Sequence, residues 1–216
     1  MRPERHRRRS IRLKGYNYSQ AGAYFITICT QGRECLFGQV IEGVMQLNEY
    51  GWIVHDEWVR TADVRPNVEL DLFVVMPNHL HIIVVIHSHD GGRGVLQYAP
   101  TSYAGTTENQ TSRLRSPSQT IGAIVRGFKS ASTKRINELR KTPGAAVWQR
   151  NYFEHIIRDD ESLHHIRQYI VENPLRWHLD AENPNAIGPD EQWNVLFVAI
   201  TSQSPLCDNT DREAKT

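Results

Sequence analysis

The chain has 216 residues, 39% of them hydrophobic and 23% charged, with a formal net charge of +1. That length fits one compact domain with appendages, and no apolar run approaches the ~20 residues a bilayer-spanning helix needs. No hydrophobic signal core follows the basic N-terminus, and Cys29, Cys35 and Cys207 form neither a CxxC nor a paired framework. The expectation is a protein of the reducing cytoplasm and not of a membrane.

Charge is unevenly spread. Arg2, Arg5, Arg7, Arg8, Arg9, Arg12 and Lys14 face a single acid, Glu4, so residues 1–20 read as a basic arm. Such an arm suits a phosphate backbone, since each contact releases condensed counterions; the bland alternative is a solvated tail. Ala23 to Thr30 is aromatic and β-branched and predicts a strand. Gly32 and Gly38 mark turns around a short extended piece. From Leu47 to Ala62, Ile53, Val54, Trp58 and Val59 recur at helical spacing, and Pro66–Asn67 closes that helix. Val68 to Met76 and His79 to Ile86 are two strand-like runs broken by Pro77 and Asn78. They are either antiparallel neighbours or one long kinked strand.

His87 to Pro117 is a polar insert rich in Gly, Ser and Thr. Ser118 to Leu139 predicts an amphipathic helix whose polar face carries Arg126, Lys129, Lys134 and Arg135. Val147 to Arg158 reads as an aromatic loop leading into an edge strand. Glu161 to Val171 predicts a helix capped by Asp159 or Asp160, and Trp193 to Ile200 is one further apolar segment. The expected organisation is an arm over 1–20, one folded domain over 21–180 with its insert at 87–117, and a C-terminal extension over 181–216. The order β-α-β-β-α-β plus a further helix predicts an α+β, ferredoxin-like antiparallel sheet with helices on one face.

Two places carry chemistry. Side chains alternate faces along a strand, so His79 and His81 project together while Leu80 enters the core. Two imidazoles side by side offer nitrogen ligands to one divalent ion, which would polarise a phosphate as a Lewis acid. The alternative is a pair of hydrogen-bonded histidines facing a loop. On the later helix, His165, Tyr169 and Asn173 follow one another at i, i+4 steps. Tyr169 could attack phosphorus, Asn173 could lend its amide oxygen to the same metal, and His165 could take the phenol proton. Asn173 precedes Pro174, which disfavours helical geometry there and makes Glu172 the substitute ligand. Tyr152 is the competing tyrosine, in a run that favours packing. A phosphotyrosine keeps the energy of the broken phosphodiester, so a free 3′-hydroxyl can rejoin the strand without ATP.

Four segments carry a family resemblance. They are Arg12-Leu13 to Tyr18 with Gly22–Thr27, Val74-Val75-Met76-Pro77-Asn78-His79-Leu80-His81, Trp148–Arg158, and Tyr169-Ile170 to Asn173-Pro174. Together they cover most of residues 10–178. In this order they resemble the REP-associated tyrosine transposases, which belong with the insertion-sequence-200/605-like transposases among the histidine–hydrophobic–histidine (HUH) single-strand nucleases. The resemblance implies a ferredoxin-like nuclease, Mg²⁺ or Mn²⁺ at His79 and His81, and a 5′-phosphotyrosine at Tyr169. It also implies single-stranded, hairpin-forming repeat DNA as partner. The insert at 87–117 and the C-terminal tail depart from a compact member.

For DNA, the candidate contacts are Arg7, Arg8, Arg9, Arg12 and Lys14 on the arm and Arg126 and Lys129 on the long helix. Trp148 could stack an unpaired base, or fill the core. The competing function is a domesticated sequence-specific DNA-binding protein that does not cut. An RNA-recognition module is disfavoured, because the central strands lack its aromatic motifs. The sequence leaves monomer or homodimer open.

Overall fold

The computed structural model describes residues 21–87 and 120–198. The basic arm, with Arg7, Arg8, Arg9, Arg12 and Lys14, and nearly all of the polar insert lie outside the described residues. The central sheet has four strands, β1 (Gly22–Cys29), β4 (Val68–Val75), β5 (His79–Ile86) and β6 (Phe153–Ile157), in the order β4-β5-β1-β6 with every neighbouring pair antiparallel. This is the ferredoxin-like arrangement that the order of elements predicts.

The break at Pro77–Asn78 resolves in favour of neighbouring strands. Met76 N–H donates to the His79 carbonyl at 2.8 Å, closing a tight turn between β4 and β5. All eight residues of β5 are buried, as an unbroken β-branched run requires when both sheet faces are covered. β6 lies on one edge, as the aromatic run before it predicts, and β4 on the other.

One hairpin went unread in the sequence. β2 (Gly38–Ile41) pairs with β3 (Val44–Leu47) across a two-residue turn. Both turn residues, Glu42 (φ 51) and Gly43 (φ 76), sit in the left-handed region, as a turn matched to strand twist demands. A Glu-Gly pair between four-residue strands is a faint signal, since the strong ones are Asn-Gly and Asp-Gly.

The helices begin on side-chain caps. Asn48 accepts from the N–H groups of Tyr50 and Gly51 and opens α1 (Glu49–Asp63). Thr120 opens α2 (Ile121–Arg140), and Lys141 ends it in a left-handed conformation. Asp159 accepts from Ser162 N–H and opens α3 (Asp160–Glu172). Each cap satisfies amide protons that the first turn leaves unpaired.

Strand alternation divides the interior in two. Tyr24, Ile26, Ile28, Leu80, Ile82, Val84 and Ile86 face α1 and α2, where Trp58 meets Phe128 edge-on at 5.4 Å. Ala23, Phe25, Ile83 and Val85 face α3 and the C-terminal segment, which carries a short turn α4 (Glu191–Trp193) and a wider helical turn through Val198. At the β4 bulge between Leu70 and Phe73, Asp71 takes both branches of the Arg167 guanidinium at 2.5–3.1 Å. That fork fixes how α3 is rolled against the sheet.

Candidate active site

The α3 face is apolar except where β5 begins. There His79 and His81 emerge from alternate positions of the strand, with Leu80 in the opposite core. Their Nε2 atoms lie 2.9 Å apart, and both rings are 0% exposed. Partners hold the two Nδ1 atoms from behind: Asn78 Oδ1 at 2.9 Å for His79 and Thr27 Oγ1 at 2.8 Å for His81. Thr27 stands directly opposite His81 on β1, and Phe25 stacks on the His81 ring at 5.4 Å. Holding the rear nitrogen is how a protein aims an imidazole at a metal.

Tyr169 comes from α3, and its hydroxyl stands 3.5 Å from His81 Nε2. The helix and the strand therefore meet as the site requires. The third member of the cluster is the carboxylate of Asp180, whose Oδ2 lies 3.7 Å from His79 Nε2 and 3.9 Å from His81 Nε2. One ligand atom each from His79, His81 and Asp180 falls within 4.8 Å of the others.

The sequence assigned the third ligand to Asn173, with Glu172 in reserve. Asn173 is buried near the site but serves it at one remove, its Nδ2 donating to Asp180 Oδ2 at 2.7 Å. It keeps helical angles (φ −55, ψ −42) despite Pro174, so the helix carries its side chain inward. Its Oδ1 is buried with no hydrogen-bond partner among the described residues. Glu172 instead accepts from Gln168 on the exposed side.

His165 does not reach the phenol. Each i, i+4 step turns about 40° around the helix axis, and the inward place one turn before Tyr169 goes to Ile166 while His165 is exposed. The hydroxyl donates to Asp190 Oδ2 at 3.2 Å instead. Asp180 and Asp190 were both missed, since each lies in an irregular stretch where no periodicity operates. The one local signal is Asp190 as cap of the turn before Trp193. Tyr152 packs against the opposite core, under the Lys129 ammonium at 5.6 Å.

Burial and charge set the protonation states. Burial pushes the His79 imidazole down to about 3, with Asp180 working the other way, so the ring is neutral at pH 7. Burial opposes the Asp180 carboxylate, but the imidazoles and the Asn173 amide hold it well below the usual carboxylate range. Burial, then Asp180 and Asp190, drive the Tyr169 phenol far above its ordinary value. Trp193 lies 5.9 Å and Phe197 6.0 Å from the Tyr169 ring, and Tyr169 is 2% exposed, so the C-terminal segment covers the site.

Three of the expected DNA contacts, Arg126, Lys129 and Trp148, lie among the described residues. Arg126 is exposed on α2, whereas Lys129 spends its ammonium on the carbonyls of Gln149 (2.8 Å) and Asn151 (2.9 Å). The Trp148 ring is packed between Phe37 and Phe128, with its N–H on Ser132 at 3.0 Å. It fills the core and offers no face for a base. Among the described residues, no helix is long and apolar enough to cross a membrane.

No protein-family model matches the chain. It is 46% identical over 175 residues to an uncharacterized protein of Haemophilus influenzae, covering 81% of this chain and 92% of that one, and the two belong to one family. A second H. influenzae protein, provisionally named a REP-associated tyrosine transposase, is 21% identical over 74% of both chains. Among solved structures, a REP-associated tyrosine transposase bound to a REP hairpin superposes with a TM-score of 0.50 at 19% identity, over 75% of this chain and 72% of that one. The four-stranded antiparallel sheet with its helices is thus the fold of that transposase.

Proposed function

We infer that this chain, which resembles the REP-associated tyrosine transposases in fold and in its Met76-Pro77-Asn78-His79-Leu80-His81 signature, is a metal-dependent nuclease and strand transferase. Its substrate is single-stranded, hairpin-forming repeat DNA. The observation that carries this reading is the convergence of two imidazoles, one carboxylate and one phenol in a buried pocket on the α3 face.

The donor set fits a divalent cation. An octahedral ion about 2.1 Å from its ligands spaces adjacent ones about 3 Å apart, and the two Nε2 atoms lie 2.9 Å apart. The unpartnered Asn173 Oδ1 is a further oxygen beside that set. Two imidazole nitrogens favour Mn²⁺ over the harder Mg²⁺. His79, His81 and Asp180 would hold such an ion, which when bound would supply Lewis-acid stabilisation of the scissile phosphate. Tyr169 Oη attacks phosphorus, the bond to the 3′ oxygen breaks, and that oxygen takes a proton from water and leaves as a 3′-hydroxyl. Asp190 Oδ2 is the acceptor placed to take the phenol proton. In rejoining, a 3′-hydroxyl attacks the 5′-phosphotyrosine and returns the phenol. Admission of a phosphate requires the rings of Trp193 and Phe197 to move, because Trp193 lies against both His81 and Tyr169 and Phe197 against Tyr169, and His81 and Tyr169 are buried. The arm over 1–20 and Arg126 are the cations proposed to track the DNA backbone.

The test is incubation with a labelled single-stranded hairpin oligonucleotide and Mn²⁺, followed by denaturing gels. Cleavage and a protein–DNA adduct are expected, and Tyr169→Phe should lose both while still binding the hairpin. An adduct that survives Tyr169→Phe but not Tyr152→Phe overturns the assignment of the nucleophile. The closed pocket favours one second reading, a DNA-binding protein that does not cut. It predicts hairpin binding with neither cleavage nor adduct.

A further inference from the structure

We propose that Asn78 is a positioning residue that uses one amide group to set both the orientation of the His79 ring and the seat of the Asp180 loop. The proposal rests on reading His79, His81 and Asp180 as ligands of one cation.

Asn78 sits in the turn between β4 and β5 and is 0% exposed. Its Nδ2 donates to two backbone carbonyls, Glu182 O at 2.7 Å and Arg33 O at 3.1 Å. Two acceptors on that side fix which way the amide faces, because a carbonyl oxygen there would be repelled by both. Oδ1 therefore faces the His79 ring, and Nδ1 lies 2.9 Å away. An amide oxygen has no proton to give. The hydrogen must sit on His79 Nδ1, which leaves the Nε2 lone pair aimed at His81 and Asp180.

The other end of the same amide holds the loop that carries the acid. Glu182 follows Asp180 by two residues, and its N–H donates to Asp180 Oδ1 at 2.6 Å. Arg33 grips the loop from outside, through Ala181 O at 3.2 Å and the Glu182 carboxylate at 3.0 Å. Asn78 grips it from inside. A strand residue and a loop residue about a hundred positions apart are thus brought into one ligand set by a single side chain. His81 differs, because its rear partner is the Thr27 hydroxyl, which can donate or accept.

Asn78→Asp and Asn78→Ala separate the two tasks. Asn78→Asp keeps an acceptor for His79 Nδ1 but sets an oxygen against both carbonyls; Asn78→Ala removes everything. Nitrogen-15 NMR of the histidine rings in metal-free protein should place the His79 proton on Nδ1 in the wild type and in Asn78→Asp. Asn78→Ala should lose that preference. Mn²⁺ affinity, read by electron paramagnetic resonance, should fall about 10- to 100-fold in both variants. Adding Asp180→Ala to Asn78→Asp should cost far less than Asp180→Ala alone, because the loop is already unseated. An unchanged tautomer in Asn78→Ala, or strictly additive losses of affinity, overturns the proposal. If Asn78→Ala does not fold, additivity in the isosteric Asn78→Asp decides. Failure of the wild type to bind Mn²⁺ sinks the metal reading instead, and the tautomer measurement tells that outcome apart.

Discussion

The two faces of the sheet are built from the same strands, both bury an apolar cluster, and they differ where β5 begins. Toward α1 and α2, β1 and β5 present Tyr24, Ile26, Ile28, Leu80, Ile82 and Val84 to an apolar core. Toward α3 and the C-terminal segment, the alternate residues include Thr27, His79 and His81, and Asn173, Asp180 and Asp190 are buried with them. Burying polar groups costs free energy unless each finds a partner, and on this face Thr27 pairs with His81, Asn173 with Asp180 and Tyr169 with Asp190. A one-residue slip of β5 would exchange Leu80 with the histidines, so the packing face also sets the register of the site.

That contrast can be broken in graded ways. The largest expected stability effect is on the packing face. Leu80→Ala, between the two histidines, should cost about 2–5 kcal/mol in denaturant unfolding while leaving Mn²⁺ affinity of the folded fraction close to wild type. A large loss of affinity without loss of stability would show that the faces are not separable in this way.

Acid should act through the other face. His79 and His155 have folded pKa values lowered to about 3 and about 4, in both cases chiefly by burial. The unfolded chain then takes up protons below about 6.5 that the folded chain refuses, so stability is full above that pH and falls as pH drops. The slope is up to about 1.4 kcal/mol per pH unit for each histidine. Asp180 has the same sign, since its depressed pKa gives stability that is present above the ordinary carboxylate value and lost below it. Urea titrations from pH 7 to pH 4 test this, and His155→Phe should remove about half the slope above pH 5. A flat profile would mean that the buried imidazoles are not neutral. The smallest effect is expected for Thr27→Val, which removes the rear partner of His81 at 2.8 Å. It should weaken Mn²⁺ binding about 10-fold and cost about 1 kcal/mol of stability.

Periodicity made most of this legible. Period 2 put His79 and His81 together and Leu80 apart, and helical spacing located α1, α2 and α3 within a few residues of their ends. Helical spacing put Tyr169 on α3, and the family resemblance, not the spacing, singled it out among the tyrosines. Where geometry departs from an idealised repeat the sequence misled: three residues at i, i+4 steps spread far enough around α3 to leave His165 in solvent. Asp180 and Asp190 were beyond reach because irregular backbone seats them. For Asp180, that seat depends on Asn78 and Arg33, far away in the chain. Trp148 shows a different limit, since an aromatic ring reads alike as stacking platform and as core until its neighbours Phe37 and Phe128 are known.

The central claim is that Tyr169 and the histidine pair act on one phosphate. The most direct measurement is mass spectrometry of the protease-digested adduct trapped with hairpin DNA and Mn²⁺. The expected result is a nucleotide-modified peptide carrying Tyr169, absent when His79 is replaced by Ala. A modified peptide carrying Tyr152, or an adduct at Tyr169 that forms equally well without His79 and His81, would contradict it.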